Sequence, residues 1–255
     1  MDQYHPYADI APALLAASQT PDAEVKVAEV IACLLDGELD EQTAARQIDD
    51  FMASVATAAD AGALCAWFQK QGFGRQSTFT ATADHSNIVW VAEHRSGLPI
   101  VLALLLVGAA RTQGLAAHGV NYPGHFLAEV DSVLIDPLTM QAVAEGQIDG
   151  DINGLMAAPE GIALRMLNNL KSLAHGRADY AEVLNLLDLQ LHIASSPQAT
   201  ASLYYEQAEV WLQFGSVSAA RSALENCQQQ AGDSALGKKA QQRLAQLSVR
   251  DEHLH

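Results

Sequence analysis

The run Leu98–Ala110, LPIVLALLLVGAA, contains no charged residue, and that constrains the whole chain. Pro99 suits the first position of a helix, where its missing N–H would have had no partner anyway. A helix that is apolar on every side is stable only with protein all around it or within a membrane. The run falls short of the roughly 20 residues that span a bilayer, so it predicts the central core helix of a globular domain. Composition agrees: of 255 residues, 49% are hydrophobic and 17% charged, a balance that supplies a packed core and excludes wholesale disorder.

The segments flanking this helix set the fold class. Upstream, Val27, Val30, Ile31, Leu34 and Leu35 recur at helical spacing between Asp22 and Gly37, as do Ala44, Ile48, Phe51, Met52 and Val55 after Asp40. Ala63–Gln69 predicts a third helix, ended by Gly72. A polar Thr- and Ser-rich loop over residues 73–86 leads into a fourth at Ile88–His94. Downstream of Gly114, alternating patterns predict three short strands at 117–120, 126–130 and 133–135, with Asp131-Ser132 as a tight hairpin turn. Helices around a small antiparallel sheet make an α+β domain. Beyond Pro159 the pattern is wholly helical and weakly repetitive. Asp179–Leu184 and Ser216–Arg221 are equivalent, with Tyr180 and Val217 lying 37 residues apart, near the roughly 34-residue period of tetratricopeptide helical hairpins. The expected organisation is therefore an α+β domain over residues 1–158 and a helical domain over 159–255.

Charge narrows the function classes. Lys and Arg number 14 against 30 Asp and Glu, a net charge of −16, which repels phosphate backbones and anionic lipid surfaces. Nucleic acid and membrane are not expected partners. Cys33, Cys65 and Cys227 are odd in number and lack CxxC spacing, which fits a reduced cytosol rather than a disulfide framework. The first ten residues lack the layout of a secretory signal. No P-loop, GxGxxG, GxSxG or HExxH motif occurs, so no cofactor and no metal are expected. These features predict a cytoplasmic protein.

The chemistry-bearing stretch is Asn121-Tyr122-Pro123-Gly124-His125-Phe126, followed by Ile135-Asp136-Pro137. With Asp131 and Ser132 as the turn, Val130 faces Val133 and Leu127 faces Asp136. His125 and Asp136 are then diagonal neighbours on one face, with Cβ atoms roughly 7 Å apart or less. A carboxylate at that reach orients an imidazole and raises its basicity, the arrangement a nucleophile requires of its base. The alternative is a His and an Asp that merely bridge two strands. A nucleophile is harder to place: Cys33 and Cys65 lie on apolar helix faces, and Ser96 is the hydroxyl nearest the start of the core helix.

Asn87, Arg95–Ala103, Gly119–Leu127 and Ile135-Asp136-Pro137, in that order, resemble the SirB-type transglutaminase-like proteins of bacteria. The resemblance covers about residues 25–245, because that family also carries a tetratricopeptide-like tail, whose start Arg165–Lys171 resembles. It implies a papain-like α+β scaffold in which a nucleophilic Cys opens the core helix and His and Asp follow on the strands. Those two map to His125 and Asp136, while Pro99 stands in the place of the Cys. The resemblance thus implies loss of thiol catalysis and a vestigial or altered His125/Asp136 pair.

Residues 149–160 also satisfy the calcium-loop pattern D-x-[DN]-x-[DN]-G-x5-E, from Asp149 to Glu160. An acidic turn between two domains explains the same residues. The leading expectation is a non-catalytic transglutaminase-like protein that binds a protein partner through its helical tail. One rival is an amide or ester hydrolase or transferase using His125 and Asp136 with a non-cysteine or unidentified nucleophile; another is a calcium-stabilised scaffold.

Overall fold

A computed structural model describes Tyr7 and residues 9–74, 80–144 and 153–252. It divides into two compact units. One is Pro12–Asn169; the other is Leu170–His255 together with Met1–Ala11.

In the first unit the expected core helix forms as α6, after α1 (Ile10–Ala17), α2 (Ala23–Leu35), α3 (Glu41–Ser54), α4 (Ala61–Lys70) and α5 (Ile88–His94). Helix α6 runs Pro99–Thr112 with Pro99 at its first turn, and every residue from Ile100 to Ala110 is buried. It touches α2, α3, α4 and α5 as well as two strands of the sheet. Each large side chain so enclosed contributes roughly 1.5–3 kcal/mol. Side chains close the amino ends of the surrounding helices: Asp40 Oδ1 accepts from Thr43 N–H at 2.7 Å and Asp60 Oδ1 from Ala63 N–H at 2.8 Å. Asn87 Oδ1 accepts from Val89 and Trp90 N–H at 3.0 and 3.1 Å. Such caps satisfy donors that a helix leaves orphaned.

The sheet packs on α6. Its strands are β1 (Ala117–Val120), β2 (Leu127–Val130), β3 (Val133–Asp136) and β4 (Gln141–Ala142), antiparallel in the order β1-β2-β3-β4. Val130 pairs with Val133, as the turn chemistry predicts, and Asp131 and Ser132 both take positive φ, 48° and 65°, the signature of a type I′ turn. Strand β4 is an addition: two residues are too few to show an alternating pattern. Beyond β1 the chain returns antiparallel, with Met156 bridged to Val120, Asn121 N–H donating to Leu155 O and Ala157 N–H to Gly119 O, both at 2.8 Å. A partly buried ion pair ties helices to sheet. Glu24 of α2 pairs with Arg111 of α6, whose Nε donates to Ala117 O at 2.8 Å, while Gly119 N–H donates to Glu24 Oε1 at 3.1 Å.

The remaining helices are α7 (Pro159–Gly176), α8 (Tyr180–Ile193), α9 (Pro197–Phe214), α10 (Val217–Ala231) and α11 (Ala235–Glu252). The two units divide inside α7, between Asn169 and Leu170, whereas the sequence placed the boundary before that helix. The starts of α8 and α10 lie 37 residues apart and those of α9 and α11 lie 38 apart. Caps recur at the same interval, since Ser196 Oγ accepts from Ala199 N–H at 3.1 Å and Ser234 Oγ from Gly237 N–H at 3.2 Å. Alanines 201, 208, 220 and 223 are buried in the core formed by α9, α10 and α11, where small side chains allow close helix approach. Lys171 is buried too, and its Nζ is bonded to Gln190 Oε1 at 2.9 Å and Glu206 Oε2 at 2.7 Å. No single described helix is long and apolar enough to cross a membrane.

Candidate functional site

Residues 122–125 form a hydrogen-bonded turn in which His125 N–H donates to Tyr122 O at 3.0 Å. Pro123 occupies the second position and Gly124, at φ 79°, the third. That is type II chemistry: proline presets the first dihedral and glycine supplies the positive one. Both ends of the turn are pinned. The guanidinium of Arg165 donates to Asn121 Oδ1 and lies over the Phe126 ring, 5.5 Å from its centroid. Phe126 is itself buried against Gly119, where a Cβ would approach the ring to 2.8 Å. Burial lowers the pKa of Arg165 from its ordinary value. The result is an exposed His125 on a rigid mount.

Asp136 ends β3 and is engaged by its own turn. Its Oδ1 accepts from Leu138 N–H at 2.8 Å, and Thr139 Oγ1 donates to Oδ2 at 3.3 Å. His125 and Asp136 line the same hollow of about 450 Å³, which Tyr122, Leu127, Thr139 and Gln141 also help to wall. No hydrogen bond joins the imidazole to the carboxylate; the acid is engaged by its own turn instead.

None of the nucleophile candidates lines this hollow: Cys33, Cys65, Ser96 and the start of α6 at Pro99 all lie outside its walls. Burial pushes the thiols of Cys33 and Cys65 up to about 11 each, with Glu41, Asp40 and Glu29 adding to the effect on Cys33. Cys227 is raised for the same reason. A thiol held above its ordinary value is protonated near neutral pH and is a poor nucleophile.

Three other histidines, at 85, 94 and 118, have partners nearby. His85 Nδ1 accepts from Thr82 N–H at 3.1 Å and His94 Nδ1 contacts Trp90 O at 2.9 Å, its ring stacked on the indole at 4.1 Å. His118 faces Glu129 across β1 and β2 at 3.8 Å. Among the described residues no three His, Cys, Asp or Glu side chains converge as a metal site. Of the calcium-loop pattern, residues 149–152 lie outside the described residues, while Asn153 and Gly154 fall in a short 3-10 turn and Glu160 in the first turn of α7. Arg165 was not singled out by the sequence as a site residue. Its contact with Asn121 spans 44 positions, and no local pattern announces it.

Comparison with known proteins supplies the context. Residues 38–158 match the model of the Transglutaminase-like superfamily. The matched residues make up somewhat less than half of the chain. A UPF0162 protein of Pseudomonas aeruginosa is 34% identical over 105 residues, 40% of this chain and 38% of that protein. UPF0162 proteins from two strains of Xylella fastidiosa are each 36% identical over 74 residues, 28% of this chain and 26% of theirs. The chain thus spans about two fifths or less of the relatives' lengths in these matches. No solved structure matches it. The matched region contains α3 to α6, the four strands and the His125 hollow, and it stops just before α7.

Proposed function

We propose that this is a non-catalytic transglutaminase-like protein of the cytoplasm, of the SirB type, whose tetratricopeptide-like tail binds another protein. The observation that carries the reading is the hollow itself. It keeps an imidazole and an acid in its walls but no thiol, and Pro99 stands where the resemblance puts the nucleophile. The engagement of Asp136 by Leu138 and Thr139 supports the same reading, because a base needs an orienter that is free to hold it. The acidic net charge favours a protein partner over nucleic acid or an anionic membrane. In the tail, Phe214 is 56% exposed and Val217 38% exposed, on either side of the bend between α9 and α10. That pair is the anchor a partner would cover.

The test uses the intact protein. Its reaction with an iodoacetamide dye and with p-nitrophenyl acetate should be unchanged by His125→Ala, and a His125-dependent adduct or turnover would overturn the non-catalytic reading. For the tail, wild type and Phe214→Asp serve as paired baits. A partner held by the wild type and lost by the variant supports the binding reading; identical captures on both would sink the proposed anchor.

A further inference from the structure

A second concavity, about 490 Å³, lies between α3 and α5, away from the His125 hollow, and Arg95 lines it. Arg95 caps α5 in the left-handed conformation, φ 63° and ψ 15°, a position that glycine or asparagine usually fills. Its guanidinium is laid against two aromatic rings, 5.5 Å from the centroid of Phe51 and 5.1 Å from that of Phe73. Among the described residues Nη1 is buried with no hydrogen-bond partner, and Glu93 acts on the guanidinium electrostatically. A desolvated cationic donor left unsatisfied is costly and calls for an explanation. Two exposed carboxylates, Asp50 and Glu93, border the same space, and half-buried Val89, with the buried Ile48 and Phe51 behind, gives it an apolar side. One fixed cation, two anions and an apolar wall form a pattern complementary to a small zwitterion.

We propose that this concavity binds a free α-amino acid with an apolar side chain, its carboxylate on Arg95, its ammonium toward Asp50 and Glu93, and its side chain against Val89. The planar guanidinium suits a carboxylate because it offers two parallel donors, which a lysine ammonium does not. The volume lies within the roughly 300–1,000 Å³ range of small-molecule sites. The site is separate from the His125 hollow and stands whether or not that hollow is catalytic.

Calorimetric titration and thermal melting of the intact protein with L-leucine test it. L-leucine should bind saturably and raise the melting temperature, as any ligand selective for the native state must. Isoamylamine, which lacks the carboxylate, and 4-methylpentanoate, which lacks the ammonium, should each bind at least about tenfold more weakly. Arg95→Lys should weaken L-leucine by about tenfold or more. Asp50→Asn should weaken L-leucine while strengthening 4-methylpentanoate, a reversal that a purely structural arginine would not produce. Melting of the unliganded variants shows whether they fold. The proposal is overturned if none of L-leucine, L-valine and L-phenylalanine binds saturably to the wild type. Binding that Arg95→Lys and Asp50→Asn leave unchanged would overturn it equally.

Discussion

The two compact units are built on different plans. In the first, elements far apart in sequence converge on one helix, α6, and the Glu24–Arg111 pair reaches from α2 through α6 to β1. In the second, consecutive helices pair as hairpins at a spacing of 37 to 38 residues, and the buried Lys171 finds both Gln190 and Glu206. They also differ in how completely buried polar groups are satisfied. Among the described residues, Glu29 Oε1, Ser86 Oγ and Arg95 Nη1 are buried without a hydrogen-bond partner, and all three belong to the first unit. The unit that carries both concavities discussed above is thus also the one that holds these unsatisfied polar atoms.

The sharpest way to break this comparison is to cut into α6. Leu104→Ala removes a wholly buried side chain and should cost about 2–5 kcal/mol. Hydrogen exchange should then rise together in α2, α5, β1 and β2, because all of them pack on α6. Exchange confined to α6 would mean that the first unit is no more cooperative than a stack of hairpins. A tail substitution should act locally. At Gly237 a Cβ would lie 2.0 Å from the carbonyl oxygen of Gly232, so Gly237→Ala forces a backbone shift and should cost about 1–3 kcal/mol. The exchange increase should centre on α10 and α11, and its spread through α8 would contradict nearest-neighbour construction.

The smallest effect concerns Glu29. One of its oxygens meets Lys26 Nζ at 2.8 Å, and burial raises its pKa above the usual carboxylate range, against the pull of Lys26. In the unfolded chain it titrates near about 4.3. Between that value and the higher folded one, the native state keeps a proton that the unfolded chain has released. The stability from this group is therefore full below the unfolded value and lost as pH rises through the folded one. Glu29→Gln should flatten that decline and melt higher than wild type at neutral pH. An unchanged slope of stability against pH would mean that the free oxygen finds a partner in solution.

Much of the fold follows from residues acting over short distances. The apolar run after Pro99, the caps at Asp40, Asp60 and Asn87, the Asp131-Ser132 turn and the spacing of Tyr180 and Val217 are local facts, and the expected helices, strands and repeat interval follow from them. The placement of His125 and Asp136 on one hollow also follows, because a two-residue turn sets the register of the strands it joins.

What the sequence by itself determined is a central apolar helix, a hairpin bearing His125 and Asp136, and a helical tail of recurring length. Tertiary structure decided which partners those side chains take. Asp136 holds its own turn rather than the imidazole, Arg165 pins the His125 loop from 44 residues away, β4 forms by pairing with β3, and Arg95 comes to rest on Phe51 and Phe73. The physical reason is that secondary structure reflects periodicity and capping within a few residues. Which buried polar atom meets which partner depends on the competition among all groups that the packed chain brings together, and no local pattern records that outcome.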